Sequence, residues 1–333
     1  MSFKRFEAED ITLSADAITA PVWSEGVNPL ADFQRSETQR NSKGQYYLNV
    51  YNNNPSAASS EVQFDISYAN RLGSGSLQYN TAIPSKSPSS TIYGQYRSLV
   101  LGDEDTSFEF GGVTADDFYA LSINRARYKE KLLPGTFNLS FSTGLKLTDN
   151  SNDVSVVTYK DSGRVYEIVS GSNGSSYDGT GYTTSSGSYG WFLPDIGTIL
   201  LNAKALDITT AEGVSFGTNR TANYAGYNAE LFINNVQGAG TLSEFSLNSE
   251  ETVTSNYVFV RVRNSEFNYS INPSNITGSG DLRHDSMINA PQAYITSVGL
   301  YNDNNDLLGV AKLSKPLLKD FTKEALLRIK LDF

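Results

Sequence analysis

Cysteine is absent from this chain of 333 residues, which rules out a disulfide framework, a thiolate metal site and a cysteine nucleophile. Stability must then come from packing and subunit contacts, which suits a protein folded in a reducing cytoplasm. Histidine is nearly absent too, and the single His284 excludes histidine-rich zinc sites by arithmetic. It lies in Asp281-Leu-Arg-His-Asp-Ser286, where a carboxylate could orient a base. Ser286 lacks the strained turn that a triad nucleophile needs, so a surface or structural histidine is the plainer reading. No stretch approaches the ~20 apolar residues of a membrane span, and the cations of Met1-Ser-Phe-Lys-Arg-Phe-Glu7 have no apolar core behind them. The expectation is a soluble protein without a membrane partner or a conventional export signal. Cations are also scarce: 26 Lys and Arg stand against 36 Asp and Glu, and a net charge of −10 repels a phosphate backbone. Specific nucleic-acid binding is not expected.

What the chain does contain is aromatic and small. Tyr (20), Phe (17) and Gly (27) are plentiful, with Ser, Thr and Asn between them. Rings suit pleated surfaces and Gly or Asn suits tight reversals, so the composition favours strands and turns over helices. The predicted class is mainly β, built of antiparallel sandwich or barrel-like domains with few short helices. At 39% hydrophobic residues the chain is able to bury a real core. Composition shifts suggest an N-terminal β-rich domain over 1–166, a Gly/Ser/Tyr-rich loop over 167–190, a second β-rich domain over 191–290 and a C-terminal hairpin unit over 291–333.

Individual segments carry these expectations. Tyr46–Tyr51, Val62–Tyr68, Phe118–Ile123 and Thr136–Phe141 read as strands, and Thr91–Leu101 has the spacing of a short helix. From Ser170 to Gly190, six Gly, seven Ser, three Thr and three Tyr fill twenty-one residues. Ordering such a loop costs ~20–40 kcal/mol in backbone entropy, so it should be mobile or held by a neighbour. The dense run Trp191–Leu201 must enter a core, with Pro194 at a strand edge or bend. Ala229–Asn234 and Asn256–Arg263 continue the β pattern, the latter with Val258, Val260 and Val262 on one face. Tyr294–Tyr301 and Leu307–Leu313 form a hairpin around Asn302-Asp-Asn-Asn-Asp306, and Pro316 stops its second strand. The last segment sets Leu327, Ile329, Leu331 and Phe333 on one face against Arg328, Lys330 and Asp332, so one side is apolar and must pack against the fold or a neighbouring subunit.

No catalytic, metal or cofactor residues assemble from the pattern, and no cofactor is expected. Carboxylates are numerous, but no spacing singles out a glycosidase pair. Asp303–Asp306 lacks the glycine and terminal Glu of a calcium loop and reads as a turn. The Gly-rich stretches lack the lysine and strand-to-helix setting of nucleotide loops. The one marked charge pattern sets Asp103, Glu104, Asp105, Glu109, Asp116 and Asp117 ahead of Arg125, Arg127, Lys129 and Lys131. The cations alternate as on one side of an extended strand. Either they make a solvated or locally paired face, or they meet the acids of a neighbouring protomer and set register. Tyr177, Tyr182, Tyr189 and Trp191 are candidate stacking rings for a glycan.

Several stretches carry a resemblance. Tyr294-Ile-Thr-Ser-Val-Gly-Leu-Tyr-Asn-Asp303 with Leu307-Leu-Gly-Val-Ala-Lys-Leu-Ser-Lys-Pro316 resembles segments of structural proteins of contractile-tailed marine phages, especially cyanophages. A looser likeness reaches phage tail fibre proteins. Phe3–Ser14 with Thr19–Trp23, and Tyr93–Leu99 leading to Asn124–Gly135, extend the likeness to the other end and the middle of the chain. The resemblance implies a non-enzymatic virion component of tail, baseplate or neck, made in the host cytoplasm. Its implied partners are other virion proteins and copies of itself. The alternative is a receptor- or glycan-binding tail module.

Overall fold

The computed structural model describes residues 4–23, 27–29, 34–35, 47–73, 89–141, 143–207, 228–233 and 244–332. The strands begin with β1 (Ile11–Pro21), β2 (Val27–Pro29), β3 (Gln34–Arg35), β4 (Leu48–Tyr51), β5 (Val62–Asn70), β6 (Phe108–Phe110) and β7 (Val113–Ala115). They continue with β8 (Asp117–Ile123), β9 (Lys131–Leu132), β10 (Asn138–Ser140), β11 (Lys146–Asp149), β12 (Thr158–Lys160), β13 (Gly163–Ser172) and β14 (Ser175–Ser176). The last seven are β15 (Gly190–Leu193), β16 (Thr198–Asn202), β17 (Glu244–Ser246), β18 (Asn248–Val262), β19 (Ala293–Tyr301), β20 (Leu307–Lys319) and β21 (Ala325–Asp332). Helices are few: α1 (Ser89–Leu101), α2 (Ala203–Leu206), α3 (228–233) and α4 (Asp285–Asn289). With 47% of the described residues in strands and 13% in helices, the protein is mainly β, as its composition predicts.

The chain forms two compact units, one from 18–251 and one from 1–17 with 252–333. The sequence boundaries at 166, 190 and 290 are therefore not where it divides. The reason lies in the ladders: β13 spans the expected boundary at 166 and pairs with both β11 and β15, which binds the residues before and after it into one sheet.

Unit 18–251 is built on a curled, half-barrel sheet of thirteen strands with the order β2-β17-β10-β11-β13-β15-β16-β8-β5-β4-β3, flanked at β13 by β12 and β14. The run Trp191–Leu201 becomes the hairpin β15–β16, buried along both strands, with Pro194 in the turn between them. Alternation places Phe64, Ile66 and Tyr68 of β5 in the core. There Phe64 meets Trp23 at 6.1 Å and Phe245 at 5.6 Å between ring centroids. Helix α1 buries Ile92, Tyr93 and Val100 but leaves Leu99 exposed. The Tyr93 hydroxyl accepts from the Phe108 amide at 3.0 Å and donates to the Ala115 carbonyl at 3.1 Å.

Two local expectations change here. The segment 229–233, read as a strand, is helical, because Ala229, Phe232 and Ile233 share a helical face that is buried, with Phe232 4.9 Å from the Tyr119 ring. The stretch 170–190, expected to be mobile or held by a neighbour, is held by its own chain. Ser170 accepts from the Tyr177 amide at 3.0 Å and donates to Gly181 at 2.8 Å, and Asn202 Nδ2 donates to Ser186 and Ser188 carbonyls, each at 2.9 Å. Glycine is required at two of its positions. A Cβ at Gly187 (φ 77°) would collide with the Phe110 carbonyl, and one at Gly190 (φ 140°) with the Leu200 carbonyl.

The other unit contains the first part of β1, the greater part of β18 and all of β21, which pair in the order β1-β18-β21, and the separate two-stranded ladder β19–β20. Strand β21 pairs with β18 over eight residues, from Ser255↔Asp332 to Val262↔Ala325. Pro316 does not end β20, which runs on to Lys319. The register jumps from Ser297↔Lys312 to Ile295↔Leu317, so Pro316 sits in a bulge where no ladder hydrogen bond is asked of it.

Candidate functional site

The apolar C-terminal face predicted from alternation is real but lightly covered. Ile329 is buried at 8% exposure, while Leu327 and Leu331 are half-buried; Phe333 lies outside the described residues. Around Ile329 the buried cluster is completed by Val258 of β18 and Leu300 of β19, with Val260, Val298, Ala311 and Leu331 packed partly against it. This segment therefore packs on its own fold. The base of the hairpin is fixed by Lys319, whose ammonium donates to Asn268 Oδ1 at 2.6 Å, to the Asn264 carbonyl at 3.0 Å and to the Asp320 carbonyl at 2.9 Å. Its tip is an Asx-stabilised loop in which Asn302 Oδ1 accepts from the amides of Asn304 and Asp306, at 3.0 and 2.7 Å. On the outer side of the hairpin, Leu307, Leu308 and Val310 are 53%, 70% and 62% exposed, and the Tyr301 ring lies over Gly299.

The basic stretch does not form the extended face that its alternation suggests. Arg125–Arg127 is a 3-10 turn capped by Asn124, whose side chain accepts from the Ala126 amide. Arg125 donates to the Tyr128 carbonyl at 2.7 Å and stacks 4.7 Å above that ring. Arg127 pairs with Glu61 at 2.7 Å and Lys131 with Glu250 at 3.6 Å, while Lys129 is exposed. Among the acids, Asp116 pairs with Arg71 at 2.6 Å and Asp103 caps the following turn. Three of the four cations thus have partners within the chain. The four candidate rings differ in exposure: Tyr177 is 55% exposed, Tyr182 and Tyr189 are half-buried, and Trp191 is buried.

One polar site escaped the sequence reading. Glu167 of β13 lies inside the fold and accepts from Trp191 Nε1 at 3.0 Å and from the Ser188 hydroxyl. Burial pushes its carboxyl above the ordinary range, opposed by the Ser188, Trp191 and Gly111 donors and by Lys160. It floors a cleft of about 60 Å³ bordered by Val154, Val156, Lys160 and Trp191, with the Lys160 ammonium 5.7 Å from the Trp191 ring. That volume holds a few waters and is well below the ~300 Å³ of ordinary ligand pockets. Glu167 is the only carboxylate among the described residues of its lining, whereas glycoside hydrolysis needs two. The signal available in the sequence was a lone acid within the apolar run Val165-Tyr-Glu-Ile-Val169.

His284 and Ser286 are both exposed, at the start of α4. Among the described residues no three His, Cys, Asp or Glu side chains come together as metal ligands, and no helix is long and apolar enough to cross a membrane. No protein-family model matches this chain, nor does any curated protein or solved structure.

Proposed function

We propose that this chain is a non-enzymatic structural subunit of a tailed-phage virion, placed in tail, baseplate or neck and working through protein contacts. The observation that carries the reading is the imbalance of the C-terminal unit. Its buried apolar side chains are Val258, Val262, Leu300 and Ile329 among the described residues, while Leu308, Val310, Tyr294 and Leu326 are largely exposed. Exposed apolar area of this kind marks surfaces that meet other proteins. The sequence resemblance to virion proteins of contractile-tailed phages gives those partners their class: other virion proteins and further copies of the chain. By this reading the protein is synthesised in the host cytoplasm and ends in the particle.

The test is the particle itself. Mass spectrometry of purified virions should find the chain in stoichiometric amount, and its density should be traceable in the tail, baseplate or neck. Absence from mature particles, or turnover of a polysaccharide by the purified protein, would sink the reading. A chain shortened before Leu327 loses β21 and with it the ladder to β18, and should fail to assemble.

A further inference from the structure

Strands β18 and β21 pair from Ser255↔Asp332 to Val262↔Ala325 without a shift of register, so residues opposite one another share a face of the ladder. One face carries Val258, Val260, Ile329 and Leu331 and belongs to the cluster already described. The other carries Tyr257, Phe259 and Arg261 on β18 and Leu326, Arg328 and Lys330 on β21. The two rings are half-buried, while the three cations are exposed and Leu326 is 59% exposed. In such a ladder the backbone position of Arg328 is ~7–8 Å from those of Arg261 and Lys330. The single acid of the paired stretch is Asp332, at its end. A chain of net charge −10 thus presents a small cationic face with apolar surface between its charges.

The complementary charge is on the chain itself. Residues 18–251 hold 24 acids against 15 cations, and the remainder is nearly balanced. Part of that excess gathers at one place. Asp103, Glu104 and Asp105 follow α1, and the Asp161 carboxylate lies against Gly102, which precedes them. Asp103 accepts from Thr106 and the turn amides, with Arg97 near it. Glu104, Asp105 and Asp161 are exposed and enter no ion pair among the described residues. Two of the cations that follow them in sequence, Arg127 and Lys131, are paired with Glu61 and Glu250 instead.

We infer that the cationic β18–β21 face of one copy docks on the acidic patch of Glu104, Asp105 and Asp161 of the next, head to tail. Guanidinium forks match carboxylates, and arginine beside aromatic rings is the composition of protein interfaces. A nucleic-acid strand fits less well. Arg328 already lies 4.1 Å above the Tyr257 ring, which is therefore not open to a stacking base, and a phosphate backbone makes no use of the exposed Leu326. Because the two patches differ, each copy carries one of each and the contact repeats until it closes a ring or continues as a filament. The docking names a contact for the structural-subunit reading and rests on that reading only for its biological setting.

Sedimentation velocity of the full chain should show oligomers that grow with concentration and shrink toward about 1 M salt, where the screening length is ~3 Å. Arg261→Gln with Arg328→Gln should weaken association at least about tenfold, and so should Glu104→Gln with Asp105→Asn. The decisive sample is an equimolar mixture of these two double variants. Each keeps the patch that the other lacks, so a single contact forms, and the mixture should give one-to-one pairs that grow no further. Arg261→Gln alone alters an exposed side chain, leaves Arg328 on Tyr257 and keeps the test valid if loss of that stack disturbs the ladder. A monomer at every concentration, association indifferent to either set of changes, or a mixture no larger than its components would overturn the docking. Single-stranded DNA bound by the unmodified protein and released by the arginine changes would overturn it in favour of a nucleic-acid partner. A monomer still found in purified particles would sink the docking and leave the structural-subunit reading intact; head-to-tail oligomers of a chain absent from particles would do the reverse.

Discussion

In residues 18–251 rings meet rings. Phe108 touches Tyr93, Phe118 and Trp191 at 4.8–5.7 Å between centroids, and Phe137 stacks on Phe192 at 5.6 Å. In residues 252–333 the comparable side chains stand at the surface: Phe321 is 56% exposed, Tyr294 65% and Tyr269 52%. Both regions are built of antiparallel strands, yet one closes a curled sheet over its own rings and the other holds a small cluster under an open hairpin. A two-stranded ladder is marginal by itself in water. The second region therefore depends on fixed polar anchors and, by our reading, on neighbouring molecules. Strand content alone does not decide whether a β region stands alone; the share of its apolar surface that its own fold covers does.

The contrast is broken most directly by truncation in each region. Phe192→Ala should cost about 3–5 kcal/mol in urea unfolding, because Phe192 is fully buried and a close-packed shell collapses poorly around the void. Lys319→Met should follow at about 2–3 kcal/mol, since it leaves Asn268 Oδ1 and two carbonyls without their donor. Ile329→Ala should cost about 2 kcal/mol, the low end for a buried branched side chain, because its thin surroundings relax readily. An Ile329→Ala loss as large as that of Phe192→Ala would show that the C-terminal cluster is as tightly packed as the other core, and the comparison would fall.

The same contrast governs what the sequence made legible. Strand β18 and the hairpin β19–β20 could be read from spacing, and β5 from its aromatic and β-branched residues at alternate positions, although residues on both of its faces are buried. The stretch 170–190 could not. Its glycines read as looseness, but Gly187 and Gly190 are where backbone passes against backbone, a demand that leaves no trace in hydrophobicity. The helix at 228–233 was hidden because a short apolar run fits either period. Pro316 misled because a bulge absorbs what an unbroken ladder forbids. At the candidate surface, the apolar face of Leu327, Ile329 and Leu331 was legible while its cover was not: that requires knowing that Leu300 and Val258 meet Ile329. The cations Arg127 and Lys131 show the same gap, their partners Glu61 and Glu250 being remote in sequence.

A smaller effect distinguishes the first region by pH. Asp65 lies on β5, where burial raises its carboxyl to about 6, and its Oδ1 has no hydrogen-bond partner among the described residues. The native state holds a proton there that the unfolded chain, near the ordinary 3.8, releases. Its contribution is therefore favourable at low pH, declines as pH rises through about 6, and levels off as a penalty above that. Asp65→Asn should remove this dependence and raise stability at pH near 7.5 by about 1 kcal/mol, discounted for partial exposure. Urea midpoints at about pH 4.5 and 7.5 would check it; an unchanged difference between the two pH values would assign the dependence elsewhere.

The smallest change in stability is expected where the effect on assembly is greatest. Val310 is 62% exposed on the hairpin, so Val310→Ser removes little buried surface from the single chain and should move its unfolding by no more than about 0.5 kcal/mol. If that face is covered in the assembled protein, the same change should weaken association by an order of magnitude, because an apolar pair is replaced by an unmatched hydroxyl. Ile329→Ala should do the reverse, lowering the stability of the chain more than the affinity of whatever still folds. A Val310→Ser protein as destabilised as Ile329→Ala would mean that the outer face is already covered by the chain itself. The distinction between a self-sufficient core and a surface awaiting its partner would then no longer separate the two regions.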